Sequence, residues 1–126
     1  MAIIRALLSA VIFSMCIPLA TSQAAEPPLM TLTTRGDFPL GSHTVWYEDT
    51  MASMEAQEIL ELDSSEWQSS DQQALNFGYS DAAYWLKMRV LNDADLSWSL
   101  WIRYSLLDYV DIYLCPQDAG NISACH

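Results

Sequence analysis

From residue 83 onward, apolar and polar positions alternate with a period of two. In "AYWLKMRVLN", Leu86, Met88 and Val90 share one side of an extended chain, while Trp85, Lys87, Arg89 and Leu91 share the other. A turn, "NDAD", follows. "LSWSLWIRY" then sets Trp98, Leu100, Ile102 and Tyr104 against Ser97, Ser99, Trp101 and Arg103. After a break, "YVDIYL" sets Val110, Ile112 and Leu114 against Tyr109, Asp111 and Tyr113. The alternation predicts three consecutive strands in an antiparallel meander. One face is almost purely apolar and needs a second layer; the other mixes rings with charges. That inequality predicts an antiparallel β-sandwich, mainly β in class.

The upstream chain is more varied. Residues 25–42 hold Pro, Thr, Gly and scattered apolar positions, which predicts an extended segment leading into the domain. "HTVWYED", residues 43–49, reads as a short strand ended by acids. Met54, Ile59 and Leu60 among Glu, Gln and Ala predict one short helix within residues 51–62, with Asp49, Thr50 or Ser53 as its cap. "DSSEWQSSDQQ" reads as a loop whose single anchor is Trp67, and Gly78 as a turn residue that needs a positive φ. At the start, Arg5 precedes the apolar run "ALLSAVIFSMCIPLA", and Ser22 and Ala24 supply small residues. Residues 1–24 therefore read as a secretory signal peptide, with the exported chain beginning at Ala25.

Charge narrows the function classes. The chain holds 16 acids against 5 cations, a net charge of −11. Phosphate neutralisation needs clustered Lys and Arg, so nucleic acid is excluded as a partner. Five Trp and six Tyr argue for a packed domain and against disorder. Of the cysteines, Cys115 and Cys125 lie beyond the signal peptide, where export would let a disulfide persist. Their spacing fits a bridge and does not require one.

Candidate chemistry is sparse. Lys87, Arg89, Trp101, Arg103, Tyr109 and Tyr113 fall on the mixed face, where a ring can stack on a sugar and a charged group can bond its hydroxyls. Cross-strand packing of rings and opposite charges, such as Arg89 with Asp111, accounts for the same residues without a ligand. Asn92, Asp93 and Asp95 offer oxygens to a calcium ion, but turns use these residues for their own hydrogen bonds. No metal or cofactor is expected. GxSxG, HExxH and a phosphate-binding glycine loop do not occur in the sequence, and the histidines, His43 and His126, stand near the ends of the predicted domain. No enzymatic activity is expected.

"LNFGYSDAAYWLKMRVLN", "SLWIRYSLLDYVDIYL" and "VWYEDTMASMEAQEIL" together resemble the periplasmic sensor domain of the 7TM-DISM receptors, seven-transmembrane receptors with diverse intracellular signalling modules, in its second extracellular type. The resemblance runs through Gly78 to Ser80, Tyr84-Trp85-Leu86, Asn92 and the Leu107 to Tyr113 run. It implies a jelly-roll similar to carbohydrate-binding modules, incomplete here because the chain stops soon after Leu114. Residues 43–126 would then be the N-terminal part of such a domain. The implied function is non-enzymatic sensing of a small molecule, a carbohydrate being one candidate, on behalf of a membrane receptor module. The alternative is a stand-alone secreted protein that pairs through its exposed sheet edge.

Overall fold

The computed structural model describes residues 25–103 and 107–126. The signal-peptide assignment and Tyr104 lie outside the described residues. The fold is mainly β with one short helix, as the alternation predicts. Its strands are β1 (Leu29–Leu32), β2 (Thr44–Asp49), β3 (Gln68–Ser69) and β4 (Ala83–Asn92), and the helix α1 is Ala56–Glu61. They form one curled, mixed sheet in the order β1-β4-β2-β3. The ten-residue β4 is its spine: β2 runs antiparallel to it with Val45 opposite Lys87, and β1 runs parallel to it with Met30 opposite Val90.

This arrangement corrects the predicted meander. Both edges of β4 are occupied, one by β2 and one by β1, so the stretch after the "NDAD" turn has no edge of β4 to pair with. Among the described residues, 96–103 and 107–114 form no strand, and Leu100, Ile102, Val110 and Ile112 are about half exposed. β1 is itself a departure, because a strand within residues 25–42 was expected only as extended chain. Its four residues pair with partners 60 positions away, which no local pattern can report.

The main core cluster of the sheet also lies on the face that the alternation does not favour. Paired residues project to the same side of a sheet, so Val45 and Tyr47 share a face with Lys87 and Trp85. That is the face on which the core is built: Val45, fully buried, packs with Ala25, Ile59 and Trp67, and Tyr47, Met54, Leu62 and Trp85 surround them. On the opposite face Leu86 and Val90 are about half exposed, whereas Met30 and Leu32 of β1, paired with Val90 and Asn92, are buried. The reversal follows from size, since two indoles bury more apolar area than Leu and Val. Lys87 is tolerated there because its Nζ lies over Trp67, 5.2 Å from the ring's centroid, and Glu26 stands 3.9 Å away. Trp67 is 4% exposed, so the single anchor expected in the polar loop is a core residue.

Local hydrogen bonds fix the connections. Asp49, buried at the end of β2, accepts from the N–H groups of Met51, Ser53 and Met54 at 3.3, 2.8 and 2.7 Å. It therefore closes the turn before α1 and does not cap the helix. The cap is Glu55, whose backbone N–H donates to Glu58 while its own side chain accepts from the N–H of Glu58, a reciprocal capping box. Gly78 has φ of 70°, as a turn glycine should, and its N–H donates to the Asn76 side chain at 3.0 Å.

Candidate functional site

Three rings gather on the less covered face near the start of β4. Tyr84 lies opposite Glu48 in the ladder and donates its hydroxyl to that carboxylate at 2.9 Å. Phe77, carried by the turn before β4, stacks on Tyr84 with centroids 4.2 Å apart and planes 9° from parallel. Trp46 of β2 meets Phe77 at 5.1 Å and Tyr84 at 6.3 Å. Such tilted and stacked pairs are favourable arrangements for ring quadrupoles.

Beside this cluster lies a cleft of about 280 Å³. Trp46 and Phe77 give it apolar walls, and Ser70, Asp71, Gln72 and Asn76 bring polar groups. The loop that carries those polar residues is seated on the turn before β2. Gly41 donates its N–H to the Gln73 carbonyl at 3.3 Å, and a Cβ at Gly41 would intrude on the Gln72 and Gln73 carbonyls. Thr44, the first residue of β2, donates its hydroxyl to Leu40 at 2.7 Å and holds the same turn from the other side. A broader groove of about 650 Å³ has Arg35, Asp37, Asp95 and Trp98 on its walls.

The six residues expected on the mixed face are distributed among several contacts. Arg103 lies over the ring of Trp101, 4.8 Å from its centroid, and Trp101 is 76% exposed. Tyr113 stacks on Trp85 at 6.5 Å, Lys87 is engaged by Trp67 and Glu26, and Arg89 is half-buried on β4 opposite Leu29. Tyr109 is almost fully exposed. The contacts made within this group of six are those of Arg103 with Trp101. Cys115 and Cys125 form a disulfide, and the chain on either side of it pairs through two bonds of 2.9 Å between Leu114 and His126.

In the "NDAD" turn the Asn92 side chain is engaged internally. Asn92 donates to the Leu96 carbonyl at 2.8 Å and accepts from the Trp98 indole at 3.1 Å. No group of three or more His, Cys, Asp or Glu residues suited to a metal occurs among the described residues. Among them, too, no helix is long and apolar enough to cross a membrane.

The sequence reading did not single out Trp46, Phe77 or Asp71 as site residues. Both rings belong to motifs that carry the family resemblance, "VWYED" and "NFGYS", and that was the available signal.

The family model for the 7TMR-DISM extracellular 2 domain matches residues 41–125, well over half of the chain. The protein belongs to this family, the extracellular sensor domains of the 7TM-DISM receptors. No curated protein and no solved structure matches the chain.

Proposed function

We propose that this chain is the ligand-sensing part of a bacterial membrane signalling receptor, that it works without catalysis, and that its ligand is a small carbohydrate. On this reading residues 1–24 direct export, and the domain lies in the periplasm or outside the cell envelope. The jelly-roll of carbohydrate-binding modules is the complete fold to which the sheet belongs. The binding state passes to a membrane receptor module. Membership of an extracellular sensor family across residues 41–125 is the observation that carries this reading.

The exposed Trp101 under Arg103 supports the choice of ligand. An open indole face beside a guanidinium can stack on a pyranose and bond its hydroxyls. Lys87, Arg89, Tyr109 and Tyr113 are the other proposed members of this ligand surface. The test is a calorimetric titration of the chain with a panel of mono- and disaccharides, repeated on Trp101→Ala. Loss of roughly tenfold in affinity, about 1.4 kcal/mol, is expected of that variant. Binding that Trp101→Ala leaves unaltered would remove the platform.

A second reading is favoured by the half-exposed aliphatic positions between Leu100 and Leu114. On it the chain is a stand-alone secreted interaction protein, and an open sheet edge pairs with another chain. Co-purification from the native envelope separates the two: a membrane receptor module among the partners supports sensing, and a soluble partner held through the sheet supports the alternative.

A further inference from the structure

We propose that the cleft between Trp46 and the loop of residues 69–77 is a subsite for a single neutral sugar ring and that it rejects anionic sugars. The proposal rests on the carbohydrate-sensing reading above and adds a second place, with its own selectivity, to it.

Size comes first. At about 280 Å³ the cleft falls at the lower edge of the ~300–1,000 Å³ typical of small-molecule sites, which suits one ring and not an oligosaccharide. Its lining is mixed in the way that a sugar demands. Trp46 and Phe77 offer apolar surface for the C–H face of a pyranose, and Phe77 is held in place by its stack on Tyr84. The polar groups are free to serve a ligand: the Asp71 carboxylate, the Gln72 side-chain amide and the Asn76 NH₂ bond to no group among the described residues. A carboxylate accepts two hydroxyl hydrogens, and an amide can donate to one hydroxyl while accepting from its neighbour, which matches vicinal diols.

Charge sets the selectivity. Among the described residues Asp71 is the one ionic group on the cleft's lining and no cation stands there, and the chain as a whole carries −11. A carboxylated sugar would meet repulsion from Asp71 and from the field of the whole surface. Rigidity supports the site. The loop that bears Asp71 and Gln72 presses against Gly41, and the strand that bears Trp46 begins three residues later, so one turn positions both walls.

The test is titration of the full chain with glucose, galactose, mannose and glucuronate at low salt, followed through the amide NMR resonances of residues 70–77. At least one neutral sugar should give saturable shifts there, with glucuronate about tenfold weaker or worse. Asp71→Ala should weaken the neutral sugar by about tenfold, whereas Asp118→Ala, an equal charge change in the disulfide loop, should leave it unchanged. Gly41→Ala should weaken it as well, by displacing the 72–73 backbone; an unperturbed spectrum for Asp71→Ala away from the loop shows that its loss is not unfolding. Binding that survives Asp71→Ala but is lost in Trp101→Ala overturns the cleft and leaves the sensing reading intact. Glucuronate binding as well as glucose overturns the selectivity, and no saturable shift with any of the four sugars overturns the subsite.

Discussion

At the scale of single residues, the same alternation places charge at very different cost. Val45 is fully buried, and Leu86, one position along the ladder on the other face, is 47% exposed. Val45→Asp would put an unpaired carboxylate into the Ile59–Trp67 core and should abolish the cooperative melt. Leu86→Asp should cost about 1 kcal/mol, since half of its apolar contact is already open. Thermal melts followed by near-UV circular dichroism compare the two, and equal loss would mean that the Leu86 face is as closed as the Val45 face. Asp63 offers a finer check. The Ser65 hydroxyl, and after it the Ser65 backbone N–H, hold the Asp63 carboxyl below its ordinary value of 3.8. A depressed carboxyl pKa contributes stability that is present above the unfolded value and lost as pH falls through the folded one. Asp63 should therefore titrate below 3.8 by carboxyl-detected NMR and move back towards it in Ser65→Ala. A midpoint already at the ordinary value in the parent would show that the turn does not hold.

At the scale of elements, β2, β4 and α1 were legible because each is a local pattern: β-prone residues ended by acids, a ten-residue alternation, and apolar spacing of helical period. The capping box was there to be read as well, Glu55 with Glu58 three positions on, but Asp49, Thr50 and Ser53 are stronger cap types and drew the assignment away. β1 was not legible, and neither was the face of β4 that carries the main core cluster. Counting apolar positions favours Leu86, Met88 and Val90, whereas the fold is decided by Trp67 and Trp85, which reach the core from a polar loop and from the mixed side. The cleft escaped for the same reason. Trp46 and Asp71 come together only because a loop folds back on Gly41, and no spacing in the sequence encodes that contact. One further link between elements was equally hidden. Gln57 of α1 accepts from the Ile122 N–H at 2.8 Å and donates to the Gly120 carbonyl at 3.4 Å, so a single amide ties the disulfide loop to the helix. Gln57→Ala should leave global stability within ~1 kcal/mol while speeding hydrogen exchange at the Ile122 amide. Unchanged exchange at that amide would mean that the loop is ordered without Gln57.

At the scale of the whole molecule, two forces oppose each other. Leu86, Val90, Leu100, Ile102, Val110, Ile112 and Leu114 are 44–70% exposed, and burying a large aliphatic side chain is worth ~1.5–3 kcal/mol. Because each is already about half covered, covering all seven would recover roughly 5–10 kcal/mol, an energy comparable with the ~5–15 kcal/mol stability of an entire domain. The outer edges of β1 and β3 are unpaired among the described residues, which offers backbone partners as well as apolar surface. Against this stands a net charge of −11, which repels a second copy of the chain over a distance set by salt. The Debye length shrinks from roughly 30 Å at 0.01 M to about 8 Å at 0.15 M ionic strength, whereas apolar attraction does not weaken over that range. Self-association should therefore increase as salt rises, the opposite of an assembly held by ion pairs. The disulfide between Cys115 and Cys125 cannot substitute for the cover, because it closes a short loop and constrains none of the four strands. Sedimentation velocity on the exported chain at micromolar concentration, across that range of salt, measures the balance. A weight-average mass that grows with salt is the expected result, and a single monomeric species with a sharp, reversible melt at every salt concentration would show that the 96–114 stretch is already covered by the chain itself.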